Sequence, residues 1–444
     1  MVLARVMSLV VLLVAVNAVA ADRHIVTFTT EPLEFTTGIY EVGGTVEAIH
    51  PDGFAVVSGL TDDAAATLSS KRGISEVLPD QRIDVRLGTP TETEIAFSDS
   101  DDAELSPSVP STAAFYPRQW HLRAIGAHNA WAAGRLGSPD VRVAVLDTGI
   151  SYTHADLAGR VDLASSASFI PGDDAIVASL FPGFHPVTDL RYHGTHVAAT
   201  ISSNALAAAG VTSRTTLVGV KVLAYTGSGP LSAILNGVYH AADQNVDVIN
   251  LSLGGAFSKA GNGVFLGMIN KAFNYAYRKG ALVVVAAGNE THDLDHDGNI
   301  MKTFCAAPNV VCVSATGPTA SAGTNGPWTN VDALAGYSNF GRSQISVAAP
   351  GGTSAGFVWE ACSRTSIVLP VCQTGTFILG ASGTSMASPH VAGLASLIVA
   401  DIGHGKPAQV RARLLQTADD LGQPGVDPAY GHGRINVPKA LGLQ

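Results

Sequence analysis

ASGTSMASPHVAG, residues 381–393, places three serines, a histidine and a proline inside a run of small residues that otherwise reads as a helix. Its glycine-containing turn enters the helix at Ser385. A hydroxyl at such a position has a use. The first N–H groups of a helix lack intrahelical partners and carry the positive end of its dipole. A serine is nevertheless a weak nucleophile until a base accepts its proton and a carboxylate orients that base. The rest of the chain must supply both.

Outward from this stretch, strand and helix alternate from about Arg118 to the end. Residues 141–150, 215–223, 247–255 and 281–289 are short apolar runs, as expected of buried parallel strands. Residues 230–244 and 262–280 between them have helical patterning. That order predicts an α/β domain of three layers, a mainly parallel sheet flanked by helices. Ligands of such sheets bind at the carboxyl ends of the strands, which directs attention to Asp147, Ser252 and Asn289. His193 opens HGTHVA, residues 193–198, with His196 three residues on. Two histidines at i and i+3 are also a metal pattern, but HExxH is absent and no third ligand is evident. The chain order Asp147, His193, Ser385 is one of the orders in which a catalytic triad is found.

With VAVLDTGI (143–150), HGTHVA and GTSMASPHVAG on the page, the chain resembles the subtilase family of serine proteases from about Gln119 onward. The resemblance implies Asp147 as orienting carboxylate, His193 as general base and acid, and Ser385 as nucleophile. It implies Asn289, in AAGNE, as the side-chain oxyanion donor. Ser252, Leu253 and Gly254 would pair with extended substrate, and with Ala287 and Gly288 would line the pocket for the residue before the scissile bond. The family pattern starts the last motif's helix near Ser385, so Pro389 is expected in its first turn, where a missing N–H costs little. Ala199 stands where the family has glycine. Subtilases often carry structural calcium. DLDHDGN, residues 293–299, spaces Asp293, Asp295 and Asp297 like the first half of a calcium loop, although position twelve is Phe304. The competing reading is a solvated polar loop. No cofactor is expected for catalysis.

Before this domain, residues 24–87 alternate like a small α+β module and resemble the family's inhibitory propeptide. Thr61 is an N-cap and Gly73 a stop for the helix they bracket, whereas 31–44 shows no evident helix. Residues 88–117 are polar and acidic and read as a linker. The N-terminus has Arg5, an apolar run and Ala18-Val19-Ala20, the pattern of a signal peptide cleaved after about Ala20. The expected organisation is therefore signal 1–20, propeptide 21–87, linker 88–117 and catalytic domain 118–444. Self-cleavage is expected near Leu87.

Charge follows the same division. Residues 21–117 carry 17 acidic against 5 basic side chains, while the region from Arg118 is near neutral. Neither profile suits a nucleic-acid binder, and no stable membrane anchor is expected. Four cysteines allow three pairings; Cys305–Cys312 and Cys362–Cys372 are favoured because each clips one loop in an oxidising compartment. A zinc site lacks its C-x₂-C spacing. The resulting expectation is a secreted, extracellular or periplasmic, monomeric endopeptidase acting on proteins or peptides, with its own propeptide as inhibitor. A catalytically silent subtilase fold used for binding would lack a triad member, and none is missing. An α/β-hydrolase esterase would need G-x-S-x-G and the order Ser, Asp, His.

Overall fold

The computed structural model describes residues 23–29, 32–84, 95–97, 109–255, 257–260 and 262–443. The expected signal segment and the cut expected near Leu87 lie outside them. The chain forms two compact units, the first ending at Gln81 and the second beginning at Arg82.

The first unit is an antiparallel sheet of β1 (His24–Phe28), β2 (Thr45–His50), β3 (Phe54–Ser58) and β4 (Ile74–Pro79), in the order β2-β3-β1-β4. Two helices accompany it, α1 (Pro32–Glu41) and α2 (Asp62–Ser69). Thr61 caps α2 as expected, its hydroxyl accepting from Ala64 N at 3.2 Å. α1 corrects the reading of 31–44. Its signal is weak because Thr36, Thr37 and Gly38 are poor helix formers. Phe35 and Ile39, one turn apart, are 2% and 0% exposed and pack with Val26, Val57 and Leu68, so tertiary burial overrides local propensity.

The second unit opens with two short strands, β5 (Arg82–Asp84) and β6 (Ile95–Phe97). The core strands are β7 (Arg142–Asp147), β8 (Ala167–Ser168), β9 (Thr216–Lys221), β11 (Val248–Leu251), β12 (Leu282–Ala286), β13 (Val310–Thr316) and β14 (Val347–Pro350). They form one parallel sheet in the order β14-β13-β12-β11-β7-β9-β8. β10 (Ser228–Pro230) pairs with β5, while β15 (Val358–Ala361) and β16 (Phe377–Ala381) make a separate antiparallel sheet with β6.

Alternate side chains of each core strand serve two faces. Val143, Val145, Val284 and Val313 pack with Val197 and Ile201 of α4 (His193–Ile201) and with Met386 and Val391 of α7 (Thr384–Ile402). Leu146 and Val220 face Gly237 of α5 (Leu231–Asp243), so closely that a Cβ there would lie 3.1 Å from a Val220 methyl. α3 (Pro171–Leu180) and α6 (Gly263–Arg278) are further helices of this unit. The three-layer α/β expectation holds. α7 has the length and apolarity to cross a membrane, yet residues Thr384–Val399 are all buried in this unit, as a core helix requires.

Candidate active site

Asp147 is the last residue of β7, and Ser252 follows β11 directly. Asn289 lies three residues beyond β12. His193 is the first residue of α4 and Ser385 the second of α7. The carboxyl ends of the parallel strands therefore meet the N-termini of two helices.

The Asp147 carboxylate is fully buried and accepts from His193 Nδ1 at 2.7 Å and from Thr148 N at 2.7 Å. With Nδ1–H donating, neutral His193 presents Nε2 as an acceptor. Gly194 is required beside it, since a Cβ would lie 2.1 Å from Gly149 O. The next layer escaped sequence analysis. Buried Asp189 accepts from Thr148 Oγ1 at 2.9 Å, Thr195 N at 3.0 Å and Thr195 Oγ1 at 2.6 Å. Thr148 Oγ1 in turn accepts from Gly194 N at 3.0 Å. One carboxylate thus ties the residue after Asp147 to the start of α4. Its signal was an aspartate four residues before His193, indistinguishable in sequence from any loop acid.

Ser385 is 3% exposed, and its Oγ donates to Ser252 O at 3.0 Å. In return Ser252 Oγ donates to Ser385 O at 2.8 Å, and also accepts from Asn250 Nδ2 at 2.9 Å. Asn250 Oδ1 accepts from Ser388 Oγ at 2.7 Å, which gives Ser388 a structural task. Here the position of Pro389 needs correction: α7 begins at Thr384, so Pro389 is its sixth residue and sits inside the helix. A residue there would normally donate to Ser385 O. Proline cannot, and Ser252 Oγ supplies the missing donor. The cost of the proline is met by the bond that anchors the Ser385 backbone to the neighbouring strand end.

Asn289 Oδ1 accepts from Thr384 N at 2.8 Å and Thr384 Oγ1 at 2.9 Å. Its amide orientation is thereby fixed, with Nδ2 as the donor end beside α7. Gly288 has φ +98°, and a Cβ there would meet Asn339 Nδ2 at 2.4 Å and Glu290 Oε2 at 2.7 Å. Asn339 Nδ2 donates to Ala287 O at 2.9 Å, holding the expected pocket wall. On the other wall, Leu253 is buried and Gly254 lies against Lys302 and Thr303.

A peptide strand already lies here. β5 pairs antiparallel with β10 in the register Asp84–Ser228, Ile83–Gly229 and Arg82–Pro230. The buried Ile83 side chain touches Gly255, one residue beyond Ser252–Gly254. Arg82 also donates to Ser228 Oγ. The Ser228–Pro230 strand and Gly255 therefore contact an extended segment of the same chain.

The other expected sites separate from this centre. Cys305–Cys312 and Cys362–Cys372 form the two local disulfides. The DLDHDGN carboxylates do not form a calcium cage as arranged. Asp293 pairs with His296, Asp297 with Lys259 Nζ at 2.6 Å, and Asp295 accepts from Arg342 N and Ser343 N. Among the described residues no three metal-ligating side chains come together.

A buried aspartate–histidine pair, a serine at a helix N-terminus and a pinned carboxamide on the carboxyl side of a parallel sheet define a class: the serine endopeptidases of α/β fold. Residues 138–433 match the subtilase family. Thermitase of Thermoactinomyces vulgaris is 32% identical over 338 residues, covering 75% of this chain and 99% of that protein. Subtilisin of Bacillus pumilus is 35% identical over 311 residues, covering 69% and 92%. The chain belongs to the subtilase family and is a serine endopeptidase. Among solved structures, a lanthipeptide protease has TM-score 0.62 and 26% identity over 76% of this chain and 97% of its own. The epidermin leader peptide processing serine protease of Staphylococcus aureus has TM-score 0.73 over 94% and 97%; at 22% identity it supports the fold alone.

Proposed function

We propose that the protein is a secreted endopeptidase made as a self-processing precursor, with Asp147, His193 and Ser385 as its triad. What supports this reading is the buried Asp147–His193 pair, Ser385 at the start of α7 bonded to Ser252, and Asn289 bonded to Thr384, with β5 paired to β10 and touching Gly255. Ser385 Oγ turns from Ser252 O to His193 Nε2, gives it the proton and bonds to the substrate carbonyl carbon. Asn289 Nδ2–H and the Ser385 N–H, which has no intrahelical acceptor at the second helical position, donate to the oxyanion. His193 then protonates the leaving amine, and the same base activates water to release the acyl group. Asp147 remains ionised and keeps the imidazole oriented. No cofactor enters these steps.

Residues 21–87 act as intramolecular inhibitor, with β5 in the groove until the chain is cut near Leu87. The polypeptide is exported by residues 1–20 to an extracellular or periplasmic compartment, consistent with its two disulfides, and works there as a monomer. Ser385→Ala tests the core of the proposal. The variant should fold, lose about 10⁶-fold in kcat and remain uncut. Turnover within tenfold of wild type would remove Ser385 from the nucleophile role. N-terminal sequencing of the mature enzyme locates the cut.

A further inference from the structure

β16 runs from Phe377 to Ala381 and reaches Ser385 four residues later. One side of it pairs with β15; the other pairs antiparallel with β6, in the register Phe377–Phe97, Ile378–Ala96 and Leu379–Ile95. β6 comes from the acidic segment 88–117, where composition predicts no strand. The chain therefore adds a strand to this unit twice: β5 on β10, then β6 on β16. Ten residues, 85–94, separate the two pairings. At up to about 3.3–3.6 Å per residue they suffice for one polypeptide to engage both surfaces.

Without β6, β16 would be the edge of its sheet, a row of N–H and C=O groups ready to pair with another strand. Backbone pairing of that kind binds extended peptides with little regard to side chains. We propose that the β16 edge is a second peptide-binding surface, filled by Ile95–Phe97 in the uncut precursor and by the leaving side of an extended substrate in the mature enzyme. The proposal rests on the proteolytic reading above and extends it to a substrate class. With the cut near Leu87, the surface engages residues 8–10 positions after the scissile bond. Unfolded polypeptide stretches are then better substrates than short peptides. A first cut near Leu87 also leaves β6 attached, so full access to this surface requires a second cut beyond Phe97.

Two measurements test this. Hydrogen exchange is compared between the full-length Ser385→Ala precursor and the same protein carrying Ile95→Pro, Ala96→Pro and Phe97→Pro. The Ile378 amide, which faces β6, should exchange about tenfold faster in the proline variant, with the Phe377 and Leu379 amides and Ser228–Leu231 little changed. Equal exchange at Ile378 would overturn the proposal, and this arm needs no catalysis. In the second arm, mature enzyme is given peptides identical up to the cut, with tails of 4 to 12 residues beyond it. kcat/KM should rise about tenfold, through KM, once the tail passes ten residues, and fall again with prolines at positions 8–10. A flat series would overturn the substrate half. Failure to cut any peptide would count against the proteolytic reading, leaving the exchange arm to decide the surface.

Discussion

His193 and His196 sit one turn apart on α4, both fully buried, and the protein uses them in opposite ways. His193 donates to a carboxylate. His196 Nε2 meets the carbonyls of Val358 and Leu379, at 3.1 Å each, and burial pushes its pKa down to about 3. Nearby, His390 holds Met386 O at 2.8 Å and lies 2.8 Å from His121 Nδ1. Burial lowers His390 to about 4 and His121 well below the ordinary range. A third arrangement is His296–Asp293, with the same 2.7 Å contact as His193–Asp147 but in solvent. Hydrogen-bond length therefore does not distinguish the proposed catalytic histidine from the others. Burial together with a carboxylate partner does, because only that combination keeps the ring oriented and stabilises it when it takes a proton away from water.

The sharpest way to break this comparison is to exchange fates. His193→Ala should cost about 10⁶-fold in kcat with little change in Tm. His196→Ala should do the reverse, losing about 1–3 kcal/mol of stability because buried carbonyls lose their donor, while kcat stays within tenfold. Comparable kcat losses in both variants would mean that the two rings work as one unit. Next in size is Asn289→Leu. It keeps the histidines but removes the donor, and kcat should fall about 10²–10³-fold with KM little changed. A loss confined to KM would make Asn289 a substrate-positioning group.

The neutral histidines predict a pH effect of about tenfold per unit. Their folded pKa values lie below 6.5, so as pH falls through 6.5 the unfolded chain takes up protons that the folded chain refuses. Each ring costs up to about 1.4 kcal/mol per pH unit down to its folded pKa. Buried carboxyls oppose them. Burial raises Asp173 to about 6 and Glu360 well above its usual range, so the folded state binds those protons first and gains stability as pH falls. The effect is therefore read as a difference. His121→Phe should be less stable than wild type near pH 8, and that deficit should shrink below pH 6.5. Parallel Tm–pH curves for the two proteins would show that His121 does not titrate on unfolding. The smallest effect belongs to the exposed pair: His296→Ala should leave activity unchanged and Tm within measurement error.

Much of the candidate site is legible because its residues stand in contiguous motifs. Asp147, His193, Asn289 and Ser385 each lie where a strand ends or a helix begins, and local sequence specifies such junctions through glycines, small residues and apolar runs. The parallel sheet followed for the same reason, from buried strands alternating with helices. Both disulfides were also legible, since short loops leave local pairs as the simplest closure.

Tertiary structure decided whatever depends on partners distant in sequence. Asp189 looks like a loop acid until folding brings Thr148 and Thr195 to it. Pro389 is tolerable inside α7 only because Ser252, 133 residues from Ser385, replaces the donor it lacks. α1 forms against a sheet that its own sequence cannot announce, and β6 becomes a strand only where β16 offers an edge. The DLDHDGN carboxylates have the spacing of a cation loop, but the fold turns them to His296, Lys259 and the Arg342–Ser343 backbone instead of toward one another. Local sequence fixes conformational preference and chemical inventory; which buried donor meets which acceptor is settled by packing, because an unpaired polar group in the interior costs more than any local preference can repay.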